Sequence, residues 1–456
     1  MDQAAFGIGS GAPGFVQCGQ TLAAQPPALS FPNPSTFPSM HICILGAGIV
    51  GLATAWELQA QGHAVTVVDQ AAPGSGTSSG NGAQLSYSYV APLADGSIWG
   101  QLPKLMFAPD SPLKLRPQLD PRQWRWGLGF MAACNEPAAA RTTRTLLALA
   151  ADSRTGFEAM RAALQPDCDF AEAGKLVLYR GAAGLAAAGR QVALQAALGG
   201  APQRLVTPDE AIALEPALAS QHGQFAGAVY TASECVADCL KVCQALAAAL
   251  QAHGVRFVQA PVLGFERDPH GGAGARVHAV RTGAGVLEAE AFVLALGAAS
   301  ARFGRALGVY LPVYPLKGYS ITLPVHDAPG AAPVVSVTDT ARKTVFARIG
   351  QRLRVAGMAE LVGEDLRIPP ARIATLQAAT RAVFPQAAVE GADPQPWAGL
   401  RPATPSGLPL VGRLGRAPAN VLFNVGHGAL GFTLAFGTAR HVARLLAADT
   451  APAPAA

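Results

Sequence analysis

Apolar positions along this chain fall into two textures. Residues 41–45 form a short run, apolar after His41 and with β-branched members, suited to a parallel strand covered on both faces, and residues 49–61 read as a helix that Gly62 ends. A second short run, 64–68, apolar but for Thr66, closes on Asp69. Strand, helix and strand within about thirty residues predict a βαβ unit. Matching pieces recur far downstream: a helix over 238–252, strands over 255–259, 291–296 and 421–423, and a last helix running through Leu446. Together they would complete one sheet.

The middle of the chain reads differently. Residues 143–164 are helical, and Thr207-Pro208-Asp209-Glu210 opens a helix with a capping box and proline at its first position. Segments 227–231, 314–323, 344–349, 352–357 and 395–401 read as strands of a separate, largely antiparallel sheet. The chain therefore crosses between two lobes several times, and a ligand is expected in the cleft they share.

Composition narrows the classes. With 456 residues, half of them hydrophobic, the chain can build large cores. The net charge of +5 is spread out, without a Lys/Arg block, so nucleic acid is not an expected partner. Seven cysteines in no paired spacing point away from a disulfide framework and fit a reducing compartment. Cys235, Cys239 and Cys243 recur every four residues along one expected helix face, where plain packing outweighs a metal site. No apolar run reaches the roughly 18–20 residues that cross a bilayer. Residues 1–39 lack Lys and Arg and are rich in Pro, Ser, Gly and Ala; they are expected to be a disordered extension, or to precede the start used in the cell, with Met40 directly before the first strand. Residues 449–456 read as a tail.

The turn between the first strand and helix carries the clearest chemistry. With 50 glycines in the chain, chance alone supplies about 0.6 copies of GxGxxG, so the motif counts only with its flanks. Gly7 to Ala12 and Gly127 to Ala132 fit a looser pattern and have no preceding strand or closing acid. Gly46-Ala47-Gly48-Ile49-Val50-Gly51 has both. Gly46 permits the tight turn, Gly48 lets backbone approach a pyrophosphate, and Gly51 lets the helix lie on the strand. The helix N-terminus favours an anion by about 0.3–2 kcal/mol. Asp69 is placed to accept from a ribose hydroxyl. Near the end, Gly426-His427-Gly428-Ala429-Leu430-Gly431 repeats the pattern between strand and helix, offering a second helix N-terminus to a long ligand.

Six segments in one order resemble the FAD-dependent D-amino-acid oxidase superfamily, most closely its bacterial D-amino-acid dehydrogenase branch. They are the Gly46 unit, TSSGNGAQLS from Thr77, YPLKGYS from Tyr314, RLRVAGMAELVG from Arg352, WAGLRPATPSGLPLVGR from Trp397 and NVGHGALGF from Asn424, and they span residues 40 to about 448. The resemblance implies an α/β fold, with a doubly wound, Rossmann-like FAD lobe (residues 40–95, 232–310 and 398–448) interleaved with a substrate lobe on a mixed, largely antiparallel sheet (96–231 and 311–397). It implies oxidation of an amino acid at Cα to an imino acid, which water converts to an oxo acid and ammonia, with FAD carrying the redox chemistry.

The resemblance also implies roles for residues. Arg401 sits where the superfamily grips the substrate carboxylate, and a guanidinium suits that task with two parallel donors. Tyr319 is either a donor to the carboxylate, a lid over the ring, or a core tyrosine; Arg348 is a weaker candidate in the same lobe. On the cofactor side stand Leu45, Gly46, Ala47, Gly48, Ile49, Val50 and Gly51, then Asp69 and Gln70 by the ribose. Ser78, Ser79, Asn81, Gly82 and Gln84 suit the pyrophosphate and flavin edge, and Val262 clamps adenine. Gly297, Gly426, Gly428 and Gly431 serve as turns toward the flavin, and His427 either lines it or shapes its loop. Gly82-Ala83 stands where the branch more usually shows Ala then Gly, and Thr404-Pro405-Ser406-Gly407 stands for Thr-Pro-Asp-Gly. No cysteine occupies the Trp397 segment, where covalently flavinylated relatives carry one, so FAD is expected to be non-covalent.

The expected substrate is a D-alanine-like D-amino acid, with a quinone or the respiratory chain as electron acceptor. The alternative is an oxidase or dehydrogenase for glycine, sarcosine or hydroxyproline; a flavin lobe serving RNA modification is disfavoured by the missing basic patches. Residues 99–131 mix Trp99, Leu102, Met106, Phe107, Trp124, Trp126 and Phe130 with Lys104, Lys114, Arg116, Arg122 and Arg125. That mixture suits a surface on anionic lipid and equally an ordinary exterior. The expected location is the cytoplasm, with peripheral contact to the cytoplasmic face of the inner membrane.

Overall fold

A computed structural model describes residues 39–94, 113–268, 276–326, 328–389 and 391–450. The expectations for residues 1–38 and 451–456, and for Trp99, Leu102, Lys104, Met106 and Phe107, lie outside them. The βαβ unit forms as its pattern dictates: strands His41–Leu45 and Ala64–Asp69 flank helix Ile49–Ala60. The six-stranded sheet runs Leu410–Gly412, Val421–Val425, Ala291–Leu294, His41–Leu45, Ala64–Asp69, Arg256–Gln259. All its pairs are parallel except the first, at an edge. A three-stranded antiparallel sheet, Val262–Arg267, Val277–Thr282 and Gly285–Glu288, follows directly from Gln259.

The second sheet has nine strands. Its order is Gln395–Ala403, Tyr314–Pro324, Arg352–Leu361, Thr344–Ile349, Ser336–Asp339, Lys175–Tyr179, Gly227–Thr231, Arg204–Val206, with Leu113–Leu115 also paired to Arg352–Leu361. Two of its pairings are parallel and the rest antiparallel, so it is mixed and largely antiparallel. The Thr207 capping box forms with both of its bonds, Glu210 N to Thr207 Oγ1 at 3.3 Å and Thr207 N to a Glu210 carboxylate oxygen at 2.7 Å.

Three expectations need correction. A lobe boundary at residue 398 cuts through strand Gln395–Ala403, which pairs with Tyr314–Pro324 along its whole length, so Arg401 rides on the nine-stranded sheet. Helix Glu136–Leu164 packs on the C-terminal helix Gly431–Thr450 of the dinucleotide lobe, through Phe157 against Phe432 and Phe436 and through the close approach of Gly437 to Leu149 and Ser153. Periodicity gave the helix but not its partner. Cys235 lies on the two-residue strand Cys235–Val236 and only Cys239 and Cys243 lie in helix Cys239–Ala252, so the three do not share a helix face.

Alternation along the central strands gives the large sheet two unlike faces. Tyr319, Ile321, Leu323, Phe346, Leu353 and Val355 point to the rear, into one apolar core closed by helix Pro370–Val383. Gly318, Ser320, Thr322, Arg354 and Arg401 belong to the front, facing the dinucleotide lobe. No helix among the described residues is long and apolar enough to cross a membrane.

Candidate functional site

The glycine turn is built as a cradle. Gly46 has φ +113°, and a Cβ there would lie 2.4 Å from the Ala295 carbonyl oxygen; a Cβ on Gly51 would lie 1.9 Å from that of Gly46. Ser78 Oγ accepts from Ile49 N at 3.1 Å and so takes one helix-end amide, whereas no described residue accepts from those of Gly48, Val50 and Gly51. Asp69 accepts from Ala47 N at 2.8 Å and Ala71 N at 3.0 Å, which locks the acid beside the turn. Gln70 is exposed next to it, and Leu45 is buried at the strand end. Val262 opens the small sheet, and Ala260 N binds Asp69 O at 2.7 Å, so Val262 borders the acid's end of the cradle. Free amides at a helix start are a natural seat for a pyrophosphate.

From Ser78 the chain crosses the front face of the large sheet strand by strand. Ser79 Oγ takes the Trp397 indole at 3.0 Å, Gly80 O takes Ser320 Oγ at 2.7 Å, and Asn81 O takes Arg354 at 2.8 Å. Gly82 lies over Val345, Ala83 packs with Ala347, and the Gln84 amide donates to Ser336 Oγ. Lys175 Nζ then reaches Gln84 Oε1 at 2.7 Å and Ser86 Oγ at 2.9 Å. The hydroxyl of Ser79 is thus spent on Trp397 and on the Ser75 and Gly76 carbonyls, away from the cradle. Asn81 Oδ1 accepts from Ala83 N at 2.9 Å and holds Ala83 at φ +57°, the left-handed region where the branch's glycine would sit without strain.

Arg401 stands at the other side of this face, its guanidinium over Gly318, where a Cβ would be 2.2 Å from a guanidinium nitrogen. It donates to Met358 O at 2.9 Å. That carbonyl is aimed by a bulge: register shifts between Lys317 and Tyr319, and Met358 takes φ +62° in a strand. Among the described residues no carboxylate pairs with Arg401. It lies deep, and burial pushes its pKa down to about 10, yet part of its surface is open. A deep guanidinium with no carboxylate among the described residues is a receptor for an anion.

Other candidates are not brought there. Tyr319 is on the rear face, donating to Glu360 at 2.7 Å, with Arg372 on the same carboxylate at 2.5 Å; burial, then the Glu360 bond, pushes its hydroxyl pKa up. It is the core tyrosine, not a lid. Arg348 pairs in register with rear-facing Leu353, at the end of its strand, and donates to Gly350 O and Gln351; a strand end cannot reach Arg401. His427 is buried, bonded to Thr438 Oγ1 at 3.0 Å, and pushed down to about 4 by burial, so it is a neutral shaper of its turn. Gly426 and Gly428 take φ +84° and +56° around it, and helix Gly431–Thr450 starts after them. Gly297 takes φ +56° just beyond strand Ala291–Leu294. Pattern reading missed Lys175 and Arg354. Their signal was a charge on a strand that is otherwise mostly buried: Lys175 opens Lys175–Tyr179, and Arg354 lies within Arg352–Leu361.

The model of one family, FAD dependent oxidoreductase (DAO), matches residues 41–445. The chain belongs to that family. Among curated proteins it is similar to D-amino acid dehydrogenase 2 of Ralstonia nicotianae, 51% identical over 431 residues that cover 91% of this chain and 98% of the relative. D-amino acid dehydrogenase 2 of Pseudomonas aeruginosa is 45% identical over 419 residues, covering 89% and 94%. The fold is similar to glycine oxidase from Geobacillus kaustophilus (TM-score 0.67, 23% identity, covering 90% of this chain and 95% of that one). L-proline dehydrogenase from P. horikoshii gives TM-score 0.69 at 18% identity, covering 91% and 94%. As a family member the chain is an FAD-dependent oxidoreductase, and its cradle of free amides, close-packed glycines and fixed acid fits that cofactor.

Proposed function

We propose that this chain oxidises D-amino acids at Cα, giving an imino acid that water converts to a 2-oxo acid and ammonia. FAD, when bound, supplies the two-electron acceptor. The observation that carries the reading is Arg401: a deep guanidinium with no carboxylate partner among the described residues, on the face that the dinucleotide lobe covers. It would take the substrate carboxylate in a bidentate pair and so fix which face of Cα is presented. Gly318 leaves the room for its fork, and Trp397 walls the cleft behind Gly399 and Gly80. The names of the curated relatives support the D-amino acid.

In this reading the amides of Gly48, Val50 and Gly51 hold the pyrophosphate, Asp69 and Val262 the adenosine end, and Asn81–Ser86 with the turn at Gly426 the flavin, without a covalent bond. Anaerobic absorbance of the holoenzyme with D-alanine, L-alanine, glycine, sarcosine and both prolines, one at a time, tests it. Bleaching by the D-isomers is expected; bleaching by glycine, sarcosine or an L-imino acid alone would replace the substrate class.

The electron acceptor in our reading is a quinone or the respiratory chain, met at the cytoplasmic face of a membrane. Helix Pro121–Ala133 supports it: Gln123, Trp126 and Phe130 turn inward while Trp124, Leu128 and Met131, 56%, 64% and 42% exposed, form an outward stripe. Leu119 is fully exposed beside it, with Lys114, Arg116 and Arg125 around. Apolar groups ringed by cations suit an anionic interface. Flotation with anionic vesicles should carry the wild type and leave Trp124→Ala/Leu128→Ala behind; a wild type that stays at the bottom ends the membrane reading.

A further inference from the structure

The front face of the large sheet holds three buried or deep cations without a partner acid. Arg354 is 6% exposed, bonded to Thr322 Oγ1 at 2.8 Å and Asn81 O at 2.8 Å; Lys175 is 2% exposed, bonded to Gln84 and Ser86. Arg401 is the third. Among the described residues none of them has a carboxylate within ion-pair distance. The rear face of the same sheet pairs every cation it buries: Lys317 with Asp365 at 3.9 Å and Arg372 with Glu360 at 2.5 Å. Arg401 has a substrate to explain it. Arg354 and Lys175 do not: both sit under the crossing segment, one at its middle and one at its inner end.

We propose that Arg354 and Lys175 form a cationic floor under Asn81–Ser86 that raises the reduction potential of the bound flavin. The inference rests on assigning that segment to the flavin. Burying an ammonium or guanidinium without a counterion costs several kcal/mol of desolvation, so the fold retains these charges at a loss. Burial pushes the pKa of both downward, Lys175 to about 8, and outweighs the opposing pull of Glu234 on Lys175 and of Asp238 on Arg354. A fixed positive charge under an electron-accepting ring favours its electron-rich, reduced form, and charge near the ring is a known lever on flavin electronics. The placement suits that role. Ser86 N also donates to Thr433 Oγ1, in the first turn of helix Gly431–Thr450, so Lys175 stands where the crossing segment meets the second glycine turn. The Tyr89 ring lies 4.5 Å from Lys175 Nζ, and Glu234, whose carboxylate accepts from Ser88 N at 2.7 Å, acts on it from beyond ion-pair distance. Both cations act by their charge from behind Asn81, Gln84 and Ser86, which hold them in place.

The test is an anaerobic titration of the holoenzyme flavin against a reference dye. Lys175→Met and Arg354→Met are each expected to shift the oxidised-to-reduced ratio tenfold toward oxidised, which for two electrons is about 30 mV. Lys175→Arg, which keeps the charge, should stay within twofold of wild type. Ratios within twofold of wild type for both Met variants, at full FAD content, would overturn the proposal. Should either Met variant fail to fold, the other carries the test, and Glu234→Gln provides the opposite sign: removing that anion should shift the ratio toward reduced, and no shift counts against the floor. The assignment of the segment is read separately. If Gln84→Ala and Asn81→Ala leave the visible spectrum of bound FAD unchanged, the segment does not border the flavin; if the spectrum moves and the potential ignores Lys175 and Arg354, the floor alone is lost.

Discussion

The two faces of the nine-stranded sheet use the same residue types to opposite ends. On the rear, Arg372 and Tyr319 share the carboxylate of Glu360, Lys317 lies near Asp365 and over the Tyr319 ring, and apolar side chains fill the rest. On the front, Arg401 and Arg354 give their hydrogens to backbone carbonyls and a hydroxyl. A buried ion pair with its hydrogen bonds met is a finished structure, whereas a cation left without its anion is one that awaits it. Being buried and charged therefore does not distinguish function from architecture here. The partner does.

The largest expected effect breaks this comparison at Arg401. Replacing it with Ala should lower kcat/KM by about 10³-fold, about 4 kcal/mol, through loss of a charge-assisted bidentate bond and of orientation. FAD content should be unchanged. Because the guanidinium has no carboxylate partner among the described residues, Arg401→Met should be at least as stable to urea as wild type, and a large stability loss would mean that the arginine is structural.

The rear face should respond the other way. Glu360→Ala strands Arg372 as a buried charge and Tyr319 as a buried hydroxyl, and is expected to cost about 3–4 kcal/mol of stability in urea unfolding. Turnover per folded molecule should stay within a few-fold of wild type. A Glu360→Ala protein that is stable yet cannot bind substrate would return Tyr319 to the site.

These contrasts also say what a sequence makes legible. The Gly46 turn was readable because its geometry is local: φ +113° and contacts under 3 Å admit glycine alone, and the flanking strands and helix announce themselves by period. The face of Tyr319 was readable in principle, since Tyr319, Ile321 and Leu323 alternate with Gly318, Ser320 and Thr322; a hydroxyl near the Arg401 strand obscured that parity. Lys175 could not be placed in this way. It meets Gln84 across 91 residues, and only the order of the sheet strands brings them together. Likewise the period of Glu136–Leu164 shows an apolar stripe and says nothing of which lobe it will cover.

His427 refines the comparison by pH. Its pKa in the folded chain is about 4 against an ordinary 6.5, so the unfolded chain binds more protons between those values and stability falls as pH drops through that window. The loss should reach up to about 3 kcal/mol by pH 4. Urea unfolding of the holoenzyme at pH 7 and 4.5 should show it, and His427→Gln, which retains an amide for Thr438, should be flatter by most of that amount. If the two slopes coincide, the ring is not held neutral and the turn lies nearer to water than its burial implies.

The smallest effect is expected at Ala83, in the segment that crosses the front face, and there the balance of terms decides the sign. At φ +57° an alanine carries about 1–2 kcal/mol of strain that glycine would not. Removing its methyl from contact with Val236, Ala347 and Ile349 costs about 0.8 kcal/mol, and the freer unfolded chain of a glycine costs about 0.4–1 kcal/mol more. The terms nearly cancel, so Ala83→Gly should change unfolding free energy by no more than about 1 kcal/mol, which explains how alanine persists where the branch more usually has glycine. Ala83→Val adds a β-branch to the same left-handed turn and should cost more than about 2 kcal/mol. If valine is tolerated as well as glycine, Ala83 does not hold its φ in solution, and the segment that crosses the front face is less rigid than its packing implies.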